Sequence, residues 1–152
     1  MVMEQKFYDH SLRARILRYD SYFLSRYFYH LRMIEWYELA PSTHILWHKI
    51  MVGLHKFRLR KYGRMMGLQI PPHTVDFGIK LYHRGWLIVN SKAKIGKNLT
   101  IYPGVTVGAG KGGIPTIGNN VFVAPNAVVV KDVPDNSVVA GVPAKIIKER
   151  VK

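Results

Sequence analysis

The 152-residue chain contains no cysteine. That excludes a disulfide framework, a thiolate metal site and a cysteine nucleophile, and it suits a reducing cytosol. Acidic residues are also scarce: 9 Asp and Glu stand against 23 Lys and Arg, for a formal net charge of +14. No apolar run approaches the ~18 residues needed to span a bilayer. The opening stretch, residues 1–15, lacks the apolar core of a signal peptide. A soluble cytoplasmic protein is therefore expected. With 48% apolar and 21% charged residues the chain is ordinary for a globular protein, which argues against wholesale disorder. Its length is close to the ~150 residues of one domain, or of one domain with a small appendage.

The positive charge is spread evenly. Residues 1–80 carry 13 basic and 6 acidic side chains and residues 81–152 carry 10 and 3, so each half is +7. An excess of this kind favours anionic partners: a phosphorylated cofactor, an acidic membrane face or nucleic acid.

The chain has two parts with different periodicities, divided at 67/68. From Tyr8 to about Gly67, Leu12, Ile16, Tyr19, Phe23, Tyr27, Leu31 and Ile34 recur at three- and four-residue steps, one apolar stripe on a long helix. Pro41 disfavours helix at Ala40, and Ser42 or Thr43 offers a cap for a second helix. Its stripe is Leu46, Ile50, Met51, Leu54 and Phe57, and Gly63 is a candidate C-terminal stop.

From Ile70 the period becomes six. Val89, Ile95, Ile101 and Val107 are spaced by six, and Ile117, Val123 and Val129 resume the step. Small or apolar residues follow four places later at Ala93, Leu99, Val105, Val121, Ala127 and Val133. Six residues is not a whole number of 3.6-residue turns, so no amphipathic helix explains it. A hexapeptide repeat fits a parallel β-helix in which three hexads close one coil. Stacked coils then predict three interior ladders: Leu81–Ile101–Val123, Val89–Val107–Val129, and Ile95–Ile117.

Two interruptions follow from the same count. Ten residues separate Val107 from Ile117, so Gly108–Pro115 leaves the coil as an external loop. Counting back six from Val89 would put His83 in a dry core, at a cost of a few kcal/mol. Counting forward from Val75 places Leu81 inside, and a bulge of two residues turns His83 outward.

The ordered set of hexads, the closing Ala140–Lys145 segment, Ile70-Pro71-Pro72, His83–Asn90, Lys94–Asn98 and the Lys111–Pro115 loop resemble the hexapeptide-repeat acyltransferases. Within them the match is to the serine acetyltransferase-like branch, which includes O-acetyltransferases of capsular polysaccharides. The resemblance covers about residues 60 to 148. It implies a mainly β fold: a left-handed parallel β-helix of about three coils, one fewer than usual, behind an N-terminal α-helical segment. It also implies a homotrimer with acetyl-CoA lying between neighbouring β-helices, no metal, and transfer of acetyl to a hydroxyl. His83 matches the family's general base, the imidazole that takes the acceptor's proton and returns it to the thiolate. Lys131 and Lys145 match cofactor-side positions, and Gly108, Gly110 and Ala124 are small residues that would clear room for the pantetheine arm.

The departures from the family pattern bear on the acceptor. The loop from Gly110 to Thr116 lacks the arginine-histidine pair that grips an amino-acid carboxylate, and Tyr82 replaces the aspartate before the histidine. Asp76 is the nearest preceding acid and so a candidate to orient His83. These changes point to a sugar or surface-polysaccharide precursor, with serine as the alternative acceptor. The shortened helix leaves open a catalytically impaired scaffold of the same fold.

Other classes have less support. His73 and His83 are too few for a β-helical zinc enzyme. His44 and His48 stand one helical turn apart with no third ligand in view. Arg15, Arg18, Tyr19, Tyr22, Arg26 and Tyr27 interleave, but no nucleic-acid module accompanies them and nucleic acid is not expected as a partner. Residues 44–61 combine Trp47 and Phe57 with Lys56, Arg58, Arg60 and Lys61, a composition suited to peripheral attachment at the inner face of an anionic membrane.

Overall fold

The computed structural model describes residues 20–40 and 45–149. The chain divides into two compact units, Met1–Met66 and Gly67–Lys152.

The first unit contains α1 (Asp20–Leu39) and α2 (Ile45–Met66). Tyr27, Leu31 and Ile34 of the first stripe are buried, with Leu24 and Phe28 beside them. Leu12, Ile16 and Tyr19 of that stripe lie outside the described residues, as do Pro41, Ser42, Thr43, His44, Arg15 and Arg18. In α2 two expectations are corrected. Gly63 does not end the helix, which runs to Met66. The stop is Gly67, whose φ of +73° is the left-handed C′ conformation that glycine adopts without strain. Gly63 is instead buried in line with His55 and Leu59, a small residue on the packed side. The expected stripe also faces the wrong way: Leu46, Ile50, Leu54 and Phe57 are exposed, whereas His55, Leu59, Gly63 and Met66 are buried. At 100° per residue the two sets fall on opposite sides of the helix. Packing selected the side that carries the histidine.

That packing buries a histidine pair. The Nδ1 atoms of His30 and His55 lie 2.8 Å apart, so one ring donates its proton and the other accepts. Tyr62 stacks on His30 with ring centroids 5.7 Å apart. Burial, then His55, Arg26 and Arg58, lower the His30 pKa to about 4, and burial likewise lowers that of His55. Above about pH 6.5 both rings are neutral in the folded and unfolded chain alike. Below it the unfolded chain takes up a proton that folded His30 refuses until about pH 4. Stability of the helical unit is therefore expected to fall between those limits, by on the order of 3 kcal/mol. Urea titrations of the helical signal across that range would show it, with a flatter profile in His30→Leu.

The second unit is a parallel β-helix with three sheets. One contains β1 (Leu68–Gln69), β3 (Leu87–Val89), β6 (Thr106–Val107) and β9 (Val128–Val129). Another contains β2 (Lys80–Leu81), β5 (Thr100–Ile101), β8 (Phe122–Val123) and β10 (Ser137–Gly141), with β11 (Ala144–Glu149) antiparallel at its edge. The third pairs β4 (Lys94–Ile95) with β7 (Thr116–Ile117), and single bridges add Val75 and Val133 at its two ends. All three expected ladders form in the expected register: Leu81↔Ile101↔Val123, Val89↔Val107↔Val129 and Ile95↔Ile117. Each face holds four levels, so the helix has about four coils where the hexad count expected about three. The end coils escape that count because their steps are irregular: Val75 follows Ile70 by five residues, and Val133 follows Val129 by four.

The corners are as ordered as the faces. Asn98, Asn120 and Asn136 stack at one corner with φ of +57° each, and their amides bond in a column at 3.0 and 2.9 Å. Asparagine tolerates this left-handed conformation because its short polar side chain finds local partners. Asn120→Ala loses two amide hydrogen bonds and keeps the strained backbone. A cost of about 2–3 kcal/mol is expected, read as a lower thermal midpoint.

Candidate active site

The β-helix places its candidate residues on corners. His83 lies on the corner between β2 and β3, within the two-residue bulge, and it is exposed. The bulge is held by the next coil. Gly104 N–H donates to Trp86 O at 2.6 Å, and Gly85, at φ +153°, packs so closely that a Cβ there would lie 2.6 Å from Pro103 Cβ. No other residue fits at Gly85 without moving that proline. The His83 backbone is thus bracketed on both sides by short, regular structure, while its ring projects from the corner. Among the described residues no hydrogen bond to the His83 imidazole is formed.

Tyr82 stacks on Tyr102 with centroids 5.5 Å apart and planes within 19°, and Tyr102 continues onto Phe122 at 5.5 Å. A stacked tyrosine pair therefore lies on the same corner as His83, and Phe122, on the outer face of β8, meets its far end at a tilt of 51°. Tyr102 was not among the residues expected at the site, although the repeat carries the signal. Adding one to each member of the Leu81–Ile101–Val123 ladder gives Tyr82, Tyr102 and Ala124.

Ala124 shares this corner two levels along, its N–H donating to Val139 O at 2.9 Å. Lys145 is exposed on β11 at the edge of the same sheet. Gly108, Gly110 and Lys131 are elsewhere, on the corner after β6 and β9. At Gly108 an added Cβ would meet only Thr106 Cγ2, at 3.8 Å, so the backbone there is open to an approaching group. Gly110 is a different case: a Cβ would sit 2.5 Å from Val130 O, so its smallness serves the loop's own packing. Two backbone hydrogen bonds between Gly110 and Gly113, of 2.8 and 3.1 Å, close that loop. Lys131 is exposed beside Asp132, whose Oδ1 accepts from Thr116 N at 2.7 Å.

Asp76 lies on the third corner, at the far end of β2 from His83, where its Oδ1 accepts from Phe77 N at 2.7 Å. The face formed by Ile79, Lys80 and Leu81 separates the two residues, so Asp76 is not positioned to orient the imidazole. A cavity of about 410 Å³ belongs to the helical unit, lined among others by Tyr37, Ile45 and His48, and none of the candidate site residues lines it. Among the described residues no three metal-ligating side chains converge.

One β-helix consequently presents its candidate residues on two different corners, with Lys145 on the edge strand β11. The comparisons with known proteins give this arrangement its context. No protein-family model matches the chain. A serine acetyltransferase of Helicobacter pylori is 30% identical over 142 residues, which cover 72% of this chain and 82% of that protein. The chain belongs to the serine acetyltransferase-like branch of the hexapeptide-repeat acyltransferases. A putative lipopolysaccharide biosynthesis O-acetyl transferase, WbbJ, of Escherichia coli is 30% identical over 121 residues, covering 79% of this chain and 54% of that protein. The chain spans less than two thirds of the length of several curated relatives that it matches, and about half of two of them.

Among solved structures, a serine O-acetyltransferase from Brucella melitensis aligns with a TM-score of 0.57 at 25% identity, over 83% of this chain and 57% of that one. A Brucella abortus serine acetyltransferase in complex with coenzyme A aligns with the same TM-score of 0.57 at 23% identity, over 83% and 57% of the two chains. The fold is the left-handed β-helix of these acyltransferases. Among the described residues no helix is long and apolar enough to cross a membrane.

Proposed function

We propose that this member of the family is an acetyl-CoA-dependent O-acetyltransferase, with His83 as general base and a sugar hydroxyl as acceptor. The observation that carries the reading is the corner itself: a histidine on a rigidly bracketed bulge, its ring exposed, with the stacked Tyr82–Tyr102 pair beside it. His83 would take the proton of the acceptor hydroxyl as its oxygen attacks the acetyl carbonyl. The carbon–sulfur bond of the thioester breaks, and the same imidazole returns the proton to the CoA thiolate. The products are an acetyl ester and free thiol.

The assembly reading is a homotrimer in the cytoplasm. It is supported by the division of the candidates between two corners, because a groove between two copies would bring the His83 corner of one against the Gly108 and Lys131 corner of the next. Lys131 and Lys145 supply exposed cations for the phosphates of the cofactor, and open space at Gly108 suits its slender arm. Gly110 and Ala124 would line the same groove by backbone.

The sugar acceptor rests on Tyr82, which stacks on Tyr102 instead of offering a carboxylate. An aromatic face suits the C–H face of a sugar ring and gives nothing to the charged groups of an amino acid. The relative named for lipopolysaccharide biosynthesis favours this acceptor, and the relatives named for serine favour the alternative. Thiol release from acetyl-CoA, followed across hexoses, nucleotide sugars, polysaccharide fragments and serine, decides between them. Sugar-dependent release that Tyr102→Ala weakens chiefly through KM supports the reading. Release with serine alone overturns the acceptor assignment, and no release with any acceptor favours the scaffold.

A further inference from the structure

The outward side of α2 carries large apolar residues that are left exposed among the described residues. Leu46 is 74% exposed, Trp47 58%, Ile50 53% and Phe57 63%, with Leu54 at 40%. These five project within about a third of the helix circumference, opposite the buried His55, Leu59 and Gly63. Single exposed apolar residues are ordinary, but an aligned series on one helix marks a docking surface. The charge around the stripe identifies what docks. α2 contains no acidic residue, and none occurs anywhere between Glu38 and Asp76. Lys49 and Arg60 flank the stripe on one side and Arg58 on the other, while Lys61 and Arg64 extend its line beyond Phe57. Lys56 is engaged by Glu38, with Nζ 2.7 Å from Oε1.

We propose that this face of α2 is the contact by which the protein binds the surface of an anionic lipid bilayer. The helix would lie in the plane of the interface, with its apolar stripe among the acyl chains and its flanking cations at the headgroups. Trp47 and Phe57 supply aromatic area at the level where amphipathic rings are favoured. Each lysine or arginine near such a surface adds attraction that fades over a Debye length. A second copy of the chain is the poorer occupant, because pairing this face with itself opposes two cationic borders with no acid on either helix.

The test uses the full chain and vesicles of equal parts phosphatidylcholine and phosphatidylglycerol, with pure phosphatidylcholine as comparison. Co-sedimentation is expected with the anionic vesicles, weakened roughly tenfold or more when salt is raised from about 0.05 to 0.5 M. The Trp47→Ser, Phe57→Ser double variant is expected to bind at least tenfold more weakly, with an unchanged thermal midpoint and elution volume. Arg60→Glu with Lys61→Glu is expected to abolish the preference for anionic vesicles while leaving the apolar stripe intact. Three results would overturn the proposal. They are no binding to anionic vesicles at low salt, undiminished binding by both variants, or a shift of the double variant to a smaller assembly, which would assign the face to contact between copies.

Discussion

Replacing His83 with alanine is expected to lower acceptor-dependent thiol release by about 10²–10⁴-fold, the range that a positioned general base contributes. The same change is expected to leave stability within about 0.5 kcal/mol, because the ring is exposed and makes no hydrogen bond with any described residue. That pairing separates a chemical role from a structural one. Affinity for acetyl-CoA, read by calorimetry, is expected to remain within a few-fold, since in the proposed reaction the imidazole would meet the reacting atoms and not the phosphates. A variant that keeps full activity would remove His83 from the mechanism, and with it the proposed corner site. Gly85→Ala offers a second view of the same geometry. It would push Pro103 away and displace the bulge, so activity should fall although no reacting group is lost.

The largest expected stability effect belongs to the ladder interior. Ile101 is fully buried at the centre of the Leu81–Ile101–Val123 ladder, with strands bonded on both sides. Ile101→Ala removes three buried carbons where the coils above and below are held at fixed spacing and cannot close the gap. A loss of about 2–5 kcal/mol is expected, towards the upper end because collapse is prevented. For a unit of this size that corresponds to a fall in thermal midpoint of roughly ten degrees or more. Lys94→Ala, one residue from the equally buried Ile95 but pointing outward, is expected to stay within about 0.5 kcal/mol. Similar losses in the two variants would mean that the register placing Ile101 inside is wrong.

Much of the β-helix was legible because its period is unlike that of any other regular structure. A six-residue step with aliphatic residues at one position leaves little freedom of register, so the ladders and the outward turn of His83 followed from counting. The coil number did not, since the first and last coils depart from the period at Val75 and Val133. The helical part was legible only as far as its kind. α2 carries apolar residues on two sides, and periodicity alone does not choose which side packs. The partner helix does, and it chose the side with His55, Leu59 and Gly63. The Gly63 expectation failed for the same reason: a glycine that ends one helix can admit a close neighbour in another.

The candidate site divides along the same line. The motif around His83 was visible in the residues, and so was the loss of an acid before it. That Tyr82 stacks on Tyr102, that Gly85 is packed against Pro103, and that Asp76 lies at the far end of a face depend on what the next coil brings alongside. By itself the amino-acid order determined the repeat, the interior ladders, the external loop and the cationic character, because each is local or strictly periodic. The tertiary structure alone decided which face of α2 is covered, how many coils close and which corner each candidate occupies. Those depend on contacts between residues about twenty positions apart, where steric fit and not periodicity selects the neighbour.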